Sequence, residues 1–84
     1  MPINQPAVKS VRPLEGYRLE IQFDNGESGI LDMTPYLEFG VFRRLQNPER
    51  FRSVTVAFDT IEWDGEIDLD PEFVYEKTKM LSTS

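Results

Sequence analysis

Tyr17-Arg18-Leu19-Glu20-Ile21-Gln22-Phe23-Asp24-Asn25-Gly26 alternates apolar and polar side chains for seven residues and then ends on a turn signal. A strand points successive side chains to opposite faces, so Tyr17, Leu19, Ile21 and Phe23 share one face and Arg18, Glu20 and Gln22 the other. One dry face and one wet face imply an antiparallel sheet. Asn25-Gly26 tolerates positive φ at both central turn positions, which predicts a type I′ hairpin. The return strand runs from Glu27 to Met33, and Gly29 inside it marks a bulge or a close backbone approach.

Working outward, Val8, Val11 and Leu14 predict a strand from Ala7 that Pro13 confines to a sheet edge, with a turn at Glu15-Gly16. Residues 1–6, with two prolines, read as an N-terminal arm. Downstream, Thr34-Pro35, Asn47-Pro48 and Asp70-Pro71 each place an N-cap residue before a proline at the first helical position. Thr34, Asn47 and Asp70 are therefore expected to cap helices, with Asp32 bonding backbone amides at the corner near Thr34 and Asp68 doing the same before the last helix. Gly40 and Pro48 limit residues 34–52 to short helical turns.

Val54, Val56 and Phe58 predict an inward-facing strand, followed by a turn at Asp59-Thr60. Ile61 and Trp63 predict the next strand, Asp64-Gly65 another turn, and Ile67 and Leu69 a last extended piece. A helix is expected from Pro71 to about Met80, with Phe73, Val74, Lys77, Met80 and Leu81 on one stripe, and residues 81–84 as a tail. The reading is a single α+β domain over residues 7–80. It has an antiparallel sheet of about five strands, covered by short helical turns and a C-terminal helix.

The 84 residues include 9 Lys+Arg against 15 Asp+Glu, with no His and no Cys, for a formal charge of −6. Disulfides, thiolate catalysis, zinc sites built on Cys or His, and a Ser-His-Asp triad are excluded. No apolar run approaches ~18 residues and no signal-like segment is read, so a cytoplasmic protein without membrane contact is expected. The total charge argues against nucleic acid, but the distribution qualifies that. Residues 59–76 hold 8 acids and no base, contributing −8, and the rest of the chain contributes +2.

The acidic segment comprises Asp59, Glu62, Asp64, Glu66, Asp68, Asp70, Glu72 and Glu76. On a strand, Asp64, Glu66, Asp68 and Asp70 would share one face and repel one another without a cation or a basic partner. With Trp63, an interface anchor if exposed and a core residue if not, they form the candidate partner-binding surface. A solvated face and a divalent-metal site are the other readings, although the EF-hand spacing fails. Asp32 and Asp68 are the candidates for a carboxylate acid–base pair. No motif calls for a cofactor. Arg43, Arg44, Arg50 and Arg52 can contact phosphates with Phe42 or Phe51 stacking on a base, or pair with Glu38, Glu49 or the acidic segment. The remaining aromatics, Phe39 and Phe58 among them, read mostly as core, with Tyr36 and Tyr75 expected half exposed after the helix-start prolines. A small core with edge strands also suits a homodimer.

Taken in order, the motifs resemble a known family. They run Val11-Arg12-Pro13-Leu14-Glu15-Gly16-Tyr17-Arg18-Leu19, Phe23-Asp24-Asn25-Gly26-Glu27-Ser28-Gly29 and Asp32-Met33-Thr34-Pro35-Tyr36-Leu37. Then come Val41-Phe42, Leu45, Pro48, Phe51, Ile61-Glu62-Trp63 and Asp68-Leu69-Asp70-Pro71-Glu72-Phe73-Val74-Tyr75. Over residues 7–76 this resembles DUF2442, a small bacterial family of unknown function. Members usually carry a Pro-Asn-Gly-Ala-like stretch after the tryptophan, where this chain has Asp64-Gly65-Glu66-Ile67. The resemblance implies an α+β domain with an antiparallel sheet and no established activity. Genes of the family often lie beside another small family of unknown function, DUF4160, which implies an antitoxin-like or regulatory partner of another small protein. The expectation is thus an interaction module whose acidic segment docks on a basic surface. A nucleic-acid-associated regulator and a carboxylate-based metal binder or enzyme stand as alternatives.

Overall fold

The alternation of residues 17–23 becomes the centre of a four-stranded antiparallel sheet in the computed structural model, which describes residues 6–81. Its strands are β1 (Val8–Leu14), β2 (Arg18–Phe23), β3 (Ser28–Asp32) and β7 (Lys79–Met80), in that spatial order. Leu19, Ile21, Phe23 and Leu31 face inward and are buried. The opposite face carries rows such as Arg12–Glu20–Ile30–Lys79, in which Arg12 Nη2 lies 2.7 Å from Glu20 Oε1. Pro13 sits on the edge strand, as its missing N–H requires.

Gly29 marks a close backbone approach, as expected. A Cβ built there would stand 2.4 Å from the carbonyl oxygen of Lys79, so β7 pairs with β3 only because position 29 has no side chain. The hairpin at Asn25-Gly26 is not type I′. Gly26 alone has positive φ (94°), and Asp24, Asn25 and Gly26 form a three-residue loop closed by Gly26 N–H to Phe23 O (3.1 Å) and Phe23 N–H to Glu27 O (2.8 Å). Asn25 Oδ1 accepts the Glu27 N–H at 2.9 Å, a side-chain turn that braces the three-residue loop.

The chain then leaves the sheet through two 3₁₀ turns (Thr34–Tyr36 and Gly40–Gln46) and a one-turn helix, α1 (Pro48–Phe51). Leu37, Leu45 and Phe51 anchor these turns in the core. Asn47 caps α1 by accepting the Glu49 N–H at 2.9 Å. Asp32 Oδ1 accepts the Thr34 N–H, also at 2.9 Å. Thr34 itself is not a cap. Met33 takes that position, because Asp32 already satisfies the corner amide, and the Thr34 hydroxyl instead donates to Gly16 O.

The α+β class and the antiparallel pairing hold, and the strands, expected in one sheet of about five, divide into two sheets of four and three. Residues 34–53 separate the halves, and β4 (Thr55–Ala57), β5 (Thr60–Trp63) and β6 (Ile67–Asp68) form their own three-stranded antiparallel sheet, ordered β4-β5-β6. Both sheets feed one buried cluster, with Ile61, Trp63 and Ile67 joining Ile21, Phe23 and Leu31. They are tied at the edge by Val8 N–H to Asp59 O at 3.1 Å.

The last helix, α2 (Pro71–Lys77), is capped by Asp70, whose Oδ1 accepts the Glu72 N–H at 2.8 Å. It ends earlier than the expected Met80. Thr78 donates its hydroxyl to Val74 O at 2.6 Å and turns extended, which sends Met80 into β7 and leaves Lys77 exposed rather than on a buried stripe. Of the arm read over residues 1–6 and the tail read over 81–84, residues 1–5 and 82–84 lie outside the described residues. Among the described residues no helix is long and apolar enough to cross a membrane.

Candidate functional site

The turn after β4 decides what this end of the molecule presents. Ala57 pairs with Thr60, so the two-residue loop is Phe58-Asp59, one residue earlier than the Asp59-Thr60 turn expected. Phe58 therefore leaves the strand for the hairpin tip, 101% exposed with φ +59°, which corrects its expected core placement, whereas Val56, opposite the buried Ile61, keeps the inward face and is 38% exposed because β4 is an edge strand. Phe39, also read as core, is 65% exposed at the start of the second 3₁₀ turn.

Below the tip, Glu62 of β5 lies directly opposite Asp68 of β6. Asp59, Asp70 and Leu69 line the same open concavity of about 570 Å³, and no Lys or Arg is among its lining residues. Thr60 donates its hydroxyl to Leu69 O at 2.6 Å and so holds the wall of this concavity to the hairpin. Asp68 makes no capping bond among the described residues; Asp70 alone caps α2.

The shared strand face expected for Asp64, Glu66, Asp68 and Asp70 does not form. Asp64 and Gly65 both have positive φ (57° and 70°), and Glu66 N–H bonds Trp63 O at 3.0 Å, so Asp64 and Glu66 sit on a tight turn. Both central residues in the left-handed region is the type I′ signature, found here rather than at Asn25-Gly26. The turn carries Asp64 to the far end of the hairpin, where its carboxylate lies 3.4 Å from Arg50 Nε and accepts from the Ser53 hydroxyl. Trp63 is 0% exposed and donates its indole N–H to Phe51 O at 2.9 Å. It braces the hairpin from inside and offers a partner nothing, which corrects its place among the contact residues.

The four arginines do not make one patch. Arg43 and Arg44 are exposed on the second 3₁₀ turn, Arg50 faces Asp64, and Arg52 borders a groove with Pro13, Pro48 and Phe51. Phe51 is buried and cannot stack on a base, and Phe42 is half-buried. Asp32 and Asp68 do not line one site: Asp32 borders a depression with Arg18, Tyr36 and Lys79, and Asp68 lines the concavity at β5 and β6. Among the described residues no group of three or more acidic side chains is arranged to hold a metal ion.

Sequence reasoning missed Phe58 as a surface residue. The signal was the place of the turn within Ala57-Phe58-Asp59-Thr60, where moving it by one residue takes Phe58 out of the strand and into the loop.

Searches of curated proteins and of solved structures gave no match. A family model described as a protein of unknown function, DUF2442, matches residues 8–79. That match spans every strand and helix of both sheets except the final residue of β7. The chain belongs to the DUF2442 family.

Proposed function

We propose that this chain is an interaction module that docks the acidic side of its β5–β6 hairpin onto a basic surface of another small protein. The observation that carries this reading is the juxtaposition of Glu62 and Asp68, with Asp59 and Asp70 around the same concavity and no cation lining it. Like charges directly opposite on neighbouring strands destabilise a sheet, so a cationic partner relieves a cost already built into the fold. Complementary charge also steers encounter and suppresses wrong partners. An antitoxin-like or regulatory role follows when the surface covered on the partner is the one it works with.

Affinity purification from the native host at low salt tests the reading. The wild-type chain is expected to retain a small basic protein that elutes as salt rises, and a Glu62→Gln, Asp68→Gln double variant is expected to lose it. Retention of the same proteins by both chains contradicts the proposal.

A second reading, nucleic-acid association, has one observation in its favour. Arg43 and Arg44 are exposed and make no salt bridge among the described residues, and the exposed Phe39 lies on the same turn region. It predicts salt-sensitive retardation of an oligonucleotide that is lost on Arg43→Ala with Arg44→Ala.

A further inference from the structure

We infer that Phe58 is the anchor of this docking surface and that the segment it receives is amphipathic as well as basic, with apolar side chains on the same face as its lysines or arginines. This rests on the acidic-docking reading and adds to it the mode of contact.

Folding alone gives no account of Phe58. Its side chain is 101% exposed, so it adds nothing to the core. Its φ of +59° opens a two-residue hairpin loop, the position where glycine is favoured and a bulky residue is an outlier. Asp59, the other loop residue, is not among those with positive φ, which matches the turn type that asks for glycine first. A glycine at position 58 would serve the turn better than the residue present.

The surroundings of Phe58 define what would cover it. Asp59 is its neighbour in the loop, while Val56, opposite the buried Ile61, lies on the sheet face turned away from Glu62 and Asp68. Phe58 also lines the concavity that holds Asp59, Glu62, Asp68 and Asp70. A polar basic tail would satisfy the carboxylates and leave the ring in water. An uncharged apolar groove would cover the ring and desolvate four carboxylates without pairing them. An anionic lipid surface would be repelled. A segment with cations flanking apolar side chains meets both demands, and an aromatic anchor surrounded by polar contacts is the usual anatomy of an interface centre.

The probes are two synthetic peptides of equal charge: a helical Lys/Leu peptide with its leucines on one face, and the same peptide with every Leu replaced by Ser. Each is titrated into ¹⁵N-labelled protein. The Leu peptide is expected to bind the wild-type chain about tenfold more tightly than the Ser peptide, the scale of one well-buried anchor, with amide shifts centred on Ala57, Phe58, Asp59, Glu62 and Asp68. Phe58→Ser is expected to erase that preference, leaving both peptides at the weaker affinity. Phe58→Gly, which suits the turn, is expected to do the same without lowering the melting temperature, which separates loss of the anchor from loss of the fold. Equal binding of the two peptides by the wild type, or an unchanged preference in Phe58→Ser, overturns the inference and leaves acidic docking standing. Failure of both peptides to bind overturns the acidic-docking reading as well.

Discussion

Glu62 and Asp68 sit directly opposite one another on β5 and β6, two carboxylates paired across a strand interface with no cation lining the concavity between them and α2. The pair is a cost to the isolated fold and a resource for binding. Asp68→Thr removes the repulsion and keeps a strand-compatible side chain, so it is expected to stabilise the protein by roughly 0.2–1 kcal/mol in urea titration. Unchanged or lowered stability would mean that the carboxylates are already compensated.

Phe58→Gly is expected to raise stability by roughly 0.5–1 kcal/mol, because it replaces a bulky residue at φ +59° with the one residue that visits that region freely. The variant loses no core contact, since the ring is in water. Thermal or urea unfolding reads the change, and a clear destabilisation would show that the ring has a structural role.

Gly29→Ala places a Cβ 2.4 Å from the Lys79 carbonyl oxygen, against backbone rather than a movable side-chain end. It is expected to cost roughly 1–3 kcal/mol and to speed amide exchange in β7 selectively, since β7 must move away from β3. Wild-type stability would contradict the pairing of Gly29 with Met80.

Tyr75 of α2 donates a 2.6 Å hydrogen bond to Glu27 Oε1, and Asn25 Nδ2 donates a second to the same oxygen, also at 2.6 Å. First the Tyr75 bond and then the Asn25 bond hold the Glu27 carboxyl below its ordinary value. A carboxyl lowered in the folded state adds stability above its unfolded value, and that stability is lost as pH falls through the folded one. Tyr75 is raised, chiefly by the same bond, so its contribution is fully present below the ordinary tyrosine value and is lost as pH rises through the folded value. Tyr75→Phe is therefore expected to flatten the stability–pH curve at both its acidic and its alkaline ends. A curve of unchanged shape contradicts the coupling of the β2–β3 loop to α2.

What the sequence made legible was local. Leu19, Ile21 and Phe23 declare their burial by period two alone, and the expectation at Gly29 and the caps at Asn47 and Asp70 rest on backbone chemistry within a few residues. What it hid depends on distance or on where a turn falls. That β3 pairs with β7, and not with β4, is decided by the Thr78 turn and the slot at Gly29, which no local pattern reports. Asp64 leaves the acidic face because Asp64 and Gly65 both take positive φ, and its meeting with Arg50 joins residues fourteen positions apart. Phe58 moved from expected core to exposed tip on a one-residue change in where the turn falls. The candidate site was thus half visible: its charge was plain in the composition, its geometry and its aromatic were not.

The central claim is that the carboxylates around β5 and β6 meet a basic protein surface. Carbodiimide treatment of native-host cells joins a carboxylate to a lysine only when the two are in direct contact, and mass spectrometry locates the joined residues. The claim predicts cross-links from Asp59, Glu62, Asp68 or Asp70 to lysines of one other small protein, lost at high salt. Cross-links confined to acids outside residues 59–76, such as Glu15, Glu20 or Glu38, would contradict it.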